Sequence, residues 1–128
     1  MTGMSDALKG RRVLVVEDES LVAMLLETIL EDLGCVPVGP VSTVNEGLEK
    51  ARDEAVLDLA LLDVNVAGRE VFPVADALAA RGVPVVFSTG YGEAGLPEKW
   101  RGAQALQKPF SENAVRDALL AAFNVGRV

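Results

Sequence analysis

There is no histidine anywhere in the 128 residues. That zero excludes a Ser-His-Asp triad, a His-ligated zinc and a phosphohistidine made on this chain. The single cysteine, Cys35, cannot close an internal disulfide, which fits a reducing compartment. Without imidazoles or paired thiols, any metal is expected to be a hard cation held by oxygens. Basic charge is short as well: 12 Lys plus Arg stand against 19 Asp plus Glu, a formal charge of −7. An acidic surface argues against sequence-independent nucleic-acid binding, which needs a basic stripe to release counterions. Long apolar runs are missing too. Stretches such as residues 13–16 fall far below the roughly 20 residues of a membrane span, and residues 1–12 contain nothing like a signal peptide. The expectation is a cytoplasmic protein with neither nucleic acid nor membrane as partner.

What is present is the material of one packed domain. Half of the residues are apolar and 24% are charged, a globular rather than a disordered mixture. A chain of this length buries roughly two thirds of its unfolded surface, so neither metal nor disulfide is needed merely to fold.

Residues 13–16 form a continuous apolar run ending in Glu17-Asp18, the habit of a strand buried on both faces of a parallel sheet. Residues 19–33 carry helical spacing in Leu21, Leu25, Ile29 and Leu33, with Val22, Leu26 and Leu30 beside them, and Gly34 is a natural stop. Residues 36–41 hold two prolines and read as a strand at or near an edge. Ser42 or Thr43 can cap the next helix, with Glu46 placed for a capping box if Thr43 is the cap. That helix reaches about Glu54, with Val44, Leu48 and Ala51 inward. Residues 57–62 are apolar apart from Asp58 and close on Asp63. A loop at 64–68 leads to a helix containing Val71, Val74, Ala75, Leu78 and Ala79, which Gly82 ends. Residues 83–87 read as a fourth strand. Four glycines and Pro97 leave any helix in 90–102 short. A weak strand at 105–107 precedes Lys108-Pro109, and Ser111 caps a last helix with Ala114, Val115, Ala118, Leu119, Ala122 and Phe123 inward. Five strands alternating with five helical segments predict a doubly wound α/β parallel sheet. The expected organisation is a flexible tail at residues 1–9, one domain at 10–126, and no output domain.

In open α/β sheets ligands bind beyond the carboxyl ends of the strands. Those ends deliver Glu17 and Asp18, then Asp63, then Ser88 and Thr89, then Lys108. Any one of them could be a solvated loop charge; all of them at strand ends argue for a site. Three clustered carboxylates raise one another's pKa unless a cation sits among them, and an oxygen-liganded Mg²⁺ is the natural one. A carboxylate beside Mg²⁺ and a lysine can attack phosphorus and become an aspartyl phosphate, while metal and ammonium offset charge on the phosphoryl oxygens. Thr89 could donate its hydroxyl to that group. The chemistry reads as phosphoryl acceptance on Asp63.

The order Glu17-Asp18, Asp63-x-Asn65, Thr89-Gly90 and Lys108-Pro109-Phe110 resembles the receiver domain of two-component response regulators (CheY-like), over roughly residues 11–125. The resemblance implies a flavodoxin-like five-stranded sheet of order 2-1-3-4-5 and a Lys-Pro bond that is usually cis. It makes Asp63 the phosphoacceptor, places Mg²⁺ at Glu17, Asp18, Asp63 and the backbone carbonyl of Asn65, and makes Thr89 the switch hydroxyl. Lys108 pairs with the phosphoryl group. Two departures stand out. The stretch at 64–68 is shorter than the usual loop and lacks its Met-Pro, and Ala105 stands where receivers carry the switch Tyr or Phe. The run Phe87-Ser88-Thr89-Gly90-Tyr91-Gly92 is similar to the FAT GUY subgroup of single-domain regulators, which lack that aromatic. Kinases of the HWE and HisKA2 classes are the partners that this subgroup implies. Ala105 then points to residues 90–102, with Tyr91, as the moving part.

The implied protein is not an enzyme but a monomer or weak homodimer that takes phosphate from a histidine kinase or phosphotransfer protein. It would signal by binding or by onward phosphotransfer. A phosphate sink uses the same residues, and a phosphorylation-independent binding module is a further alternative. Aspartate-nucleophile phosphatases generally carry a second Asp two residues on, where this chain has Asn65, and they need a cap for which there is no spare length. Gly90-x-Gly92-x-x-Gly95 matches a dinucleotide fingerprint in letters, but Pro97 interrupts the helix it should open. Trp100 and Cys35 read as packing residues.

Overall fold

Among the described residues, seven strands and four α-helices run in the order β1 (Arg12–Val16), α1 (Ser20–Asp32), β2 (Val36–Val41), α2 (Val44–Asp53), β3 (Leu59–Asp63), β4 (Asn65–Val66), β5 (Arg69–Glu70), α3 (Phe72–Ala79), β6 (Val85–Thr89), β7 (Gln104–Gln107) and α4 (Glu112–Gly126). This is a computed structural model, and it describes residues 7–90 and 96–126. Five strands form one parallel sheet in the order β2-β1-β3-β6-β7. With β4 and β5 set aside, that is a doubly wound sheet in the order 2-1-3-4-5 that the receiver resemblance implies.

Alternation along the strands splits the core in two. Leu14 and Val16, Ala60 and Leu62, and Phe87 face one layer, with Val74 and Leu78 of α3 and Val44 and Ala51 of α2. Val13, Val15, Leu59, Leu61, Val86 and Leu106 face the other, with Leu26, Ile29 and Leu30 of α1 and Val115, Leu119 and Phe123 of α4. Burial of this apolar surface on both faces, at roughly 25 cal/mol per Å², holds the strand ends in place.

Helix boundaries follow the capping chemistry. Gly34, at φ +86°, ends α1 in the left-handed region that glycine favours. Thr43 is the N-cap of α2, its hydroxyl accepting from the Glu46 amide at 3.1 Å, and the Glu46 carboxylate reaches back to the Ser42 amide at 3.1 Å. Ser111 Oγ accepts from the Ala114 amide at 3.1 Å and starts α4. The Lys108–Pro109 bond is cis, as is Gly39–Pro40 on the edge strand β2.

Four differences from the sequence expectations have physical reasons. Leu8 is fully buried in the α1/α4 layer, so the expected tail of residues 1–9 is packed from Ala7 onward; residues 1–6 lie outside the described residues. The expected loop at 64–68 is the tip of a two-stranded hairpin, β4–β5. Its turn residues Ala67 and Gly68 take φ values of +49° and +83°, both positive as a type I′ hairpin turn requires. The fourth expected helix is a 3-10 turn, Glu98–Trp100, while Tyr91, Gly92 and Gly95 lie outside the described residues. Finally, α1 turns Ala23, Leu26, Ile29 and Leu30 inward and leaves Leu21, Met24 and Leu25 exposed.

Candidate functional site

Register decides which side chains meet at the carboxyl edge. Val16 pairs with Leu62, and Asp63 with Ser88, so Glu17 emerges beside Asp63. Three backbone bonds carry the ladder past the formal strand ends: Glu17 N–H to Val41 O at 3.0 Å, Val64 N–H to Ser88 O at 3.1 Å, and Lys108 N–H to Thr89 O at 3.0 Å. Because side chains alternate, Glu17, Asp63, Ser88 and Lys108 fall on the same side as Val15, Leu61, Val86 and Leu106. Thr89, one residue on, falls on the side of Phe87.

The result is a cleft of about 440 Å³ lined by Asp18, Glu19, Asp63, Asn65, Glu70, Thr89 and Lys108 among others. Lys108 Nζ lies 3.3 Å from Glu17 Oε1, 3.4 Å from Asp63 Oδ2 and 3.3 Å from Glu19 Oε1. One carboxylate oxygen each from Glu17, Asp18 and Asp63 lies within 4.8 Å of the others. Glu17 is only 2% exposed. Its Oε2 accepts from the Glu19 amide at 3.0 Å, while its buried Oε1 has the Lys108 ion pair but no hydrogen bond. Asp18 Oδ2 accepts from the Ala67 amide at 3.0 Å, so the hairpin tip orients this carboxylate.

Asn65 sits in β4 opposite Glu70. Val71 N–H bonds Val64 O at 2.9 Å, which makes the neighbouring 64:71 pair a hydrogen-bonded one. Hydrogen-bonded and open pairs alternate in antiparallel ladders, so the 65:70 pair is open and the Asn65 carbonyl lies outside the ladder. Of the two hydroxyls, Ser88 Oγ is buried with no hydrogen-bond partner, and Thr89 is buried.

The electrostatics match this crowding. Burial pushes the Glu17 carboxyl up to about 7, the Glu19 amide pulls it down, and the nearby Asp63 charge adds to the rise. Burial also holds the Asp63 carboxyl above the usual carboxylate range, against the pull of Lys108. For Lys108 burial acts downward, but Asp63 and Glu17 outweigh it and keep the ammonium charged. Negative charge is in excess, and every available donor is oxygen: the site has the chemistry to hold a hard divalent cation and, beside it, a phosphoryl group.

Glu17, Asp18, Asp63, Thr89 and Lys108, expected from strand ends, are brought together, with Asn65 at the rim. Two further acids went unnamed in the sequence, Glu19 and Glu70. Glu19 had a signal, since it directly follows Glu17-Asp18. Glu70 had none, because it reaches the cleft through a hairpin that the sequence pattern does not announce.

Residues 13–120 match the family described as response regulator receiver domain. The chain is 36% identical over 118 residues to the transcriptional regulatory protein PdtaR of Mycobacterium tuberculosis strain H37Rv, covering 87% of this chain and 57% of that protein. It thus spans little more than half the length of that relative. The solution structure of SdrG from Sphingomonas melonis Fr1 is similar with a TM-score of 0.79 and 44% identity, over 90% of this chain and 97% of SdrG. The BeF₃-activated conformation of SdrG, from Pseudomonas melonis Fr1, gives 0.75 and 43% over 96% and 99%. Among the described residues, no helix is long and apolar enough to cross a membrane.

Proposed function

Because this chain belongs to the response regulator receiver family, we propose that it accepts a phosphoryl group on Asp63 from a histidine kinase or phosphotransfer protein, in a Mg²⁺-dependent reaction. The observation that carries the reading is the convergence on Asp63 of Lys108, at 3.4 Å, and of two further carboxylates. Glu17, with its unbonded buried oxygen, Asp18, Asp63 and the Asn65 carbonyl would hold the cation. When bound, Mg²⁺ offsets charge on the phosphoryl oxygens. An Asp63 oxygen attacks phosphorus, the bond from phosphorus to the donor's nitrogen or oxygen breaks, and the donor leaves with that electron pair. Lys108 then pairs with a phosphoryl oxygen, and Thr89 donates its hydroxyl to another.

Likeness to SdrG supports the FAT GUY subgroup expected from residues 87–92, and with it kinases of the HWE or HisKA2 class as donors. The chain is then a cytoplasmic signalling regulator rather than an enzyme, acting by protein contacts or onward phosphotransfer. Thr89 ends the strand whose Phe87 stacks edge-on against Trp100, with ring centroids 5.4 Å apart. A pull on Thr89 therefore has a packed route into the Glu98–Trp100 turn even though residue 105 is alanine. The test is incubation with labelled acetyl phosphate and with candidate kinases, with and without EDTA. Acid- and hydroxylamine-labile label is expected on wild type with Mg²⁺. Label that survives EDTA or Asp63→Asn would sink the assignment.

A further inference from the structure

Glu19 occupies the N-cap position of α1, yet its side chain makes no bond to the helix amides. Glutamate is not among the good N-caps, and here its carboxylate is turned across the mouth of the cleft to Lys108, 3.3 Å away. Lys108 thus answers to three anions at 3.3–3.4 Å. Glu17 and Asp63 are buried on the floor of the cleft, whereas the Glu19 side chain is 64% exposed at the rim. A cation on the floor would offset the charge of Glu17 and Asp63 and loosen their hold on the ammonium. Glu19 takes no part in that cluster, so its hold persists. A phosphoryl oxygen on Asp63 then draws on the same ammonium that Glu19 holds at the rim, so the two anions compete for its charge.

We propose that Glu19 is a positioning residue that competes with the phosphoryl group for Lys108 and so lowers the affinity of the site for phosphoryl. This rests on the reading of Asp63 as phosphoacceptor. Neutralising Glu19 frees the ammonium for the floor of the site. An exposed ion pair is worth at most about 1 kcal/mol, so the gain is limited to about fivefold.

The test is beryllofluoride binding with Mg²⁺, followed by ¹⁹F NMR, in wild type, Glu19→Gln, Glu19→Asp, Lys108→Ala and the double variant Glu19→Gln/Lys108→Ala. Glu19→Gln should bind about two- to fivefold more tightly, and Glu19→Asp, which restores the charge, should return toward wild type. The gain should shrink near 1 M salt, where the screening length is about 3 Å, and should vanish in the Lys108→Ala background. A gain that survives loss of Lys108, or no gain at all, would overturn the proposal. Should Lys108→Ala bind no beryllofluoride, the salt series decides: a gain undiminished at 1 M overturns it. Folded wild type that binds no beryllofluoride would instead overturn the phosphoacceptor reading, and this inference with it.

Discussion

At the amino ends of β1 and β3, acids and donors are matched. The Arg12 amide gives a 2.9 Å bond to Asp58 Oδ2, the Arg12 guanidinium meets Glu54 at 2.8 Å, and Lys50 joins it at 3.4 Å. At the carboxyl ends of the same two strands, Glu17, Glu19 and Asp63 share one ammonium, and Asp18 takes a backbone amide. The pKa directions part accordingly. Lys50 and Arg12 hold Glu54 below the ordinary carboxylate range, while burial drives Glu17 up to about 7. The same two strands thus end in a matched set that serves the fold and in a crowded set short of positive charge. Crowding of that kind at the switch edge of a parallel sheet marks a functional site.

The largest effect expected is at the crowded end. Asp18→Ala should weaken Mg²⁺ binding by at least about tenfold in calorimetry, since even outer-shell partners of a metal are worth that much, and should block phosphorylation from acetyl phosphate. Full phosphorylation of that variant would break the contrast.

The pH dependence sharpens it. Glu17 has a folded pKa of about 7 against an ordinary value of 4.5. Between those values the folded state keeps a proton that the unfolded chain has lost. Stability without metal should therefore be greatest below 4.5 on account of this group and fall as pH rises to about 7. Glu17→Gln should remove most of that fall and stabilise the metal-free protein at pH 7.5 by on the order of 1–3 kcal/mol, as read by urea melts across pH. A Glu17→Gln protein less stable than wild type at pH 7.5 would show the group to be satisfied after all.

Smaller effects should come from the hairpin and from the matched end. Gly68 has φ +83°, and Gly68→Val should cost about 1–2 kcal/mol and lower Mg²⁺ affinity through loss of the Ala67–Asp18 bond, although no ligand is changed. Asp58→Ala, which leaves the Arg12 amide without its acceptor, should cost about 1 kcal/mol and leave phosphorylation at the wild-type rate.

Much of this is legible in the sequence. Apolar runs ending in acids located β1 and β3, and glycine stops and hydroxyl caps bounded the helices, because both signals are local. The rest is either too short to show a period or depends on contacts distant in sequence. The hairpin is two residues per strand, too short for alternation to show, and its first turn position is Ala67 rather than glycine. Leu8 reads as tail until the α1/α4 layer is built to cover it. Leu21, Met24 and Leu25 carry the same helical period as the buried face of α1, and only the packed sheet decides which stripe turns inward. Among site residues, strand ends located the buried acids and the lysine. The pairing of Glu19 with Lys108 links residues 89 positions apart, and spacing along the chain cannot reveal it.

The most direct test is to find where the phosphoryl group goes. Protein treated with acetyl phosphate and Mg²⁺, then reduced with borohydride, converts an aspartyl phosphate to homoserine that peptide mass spectrometry can locate. Homoserine is expected at position 63 alone, and none after EDTA. Modification at Asp18 or Asp58 with position 63 untouched would contradict the assignment of the crowded end as the phosphoacceptor site.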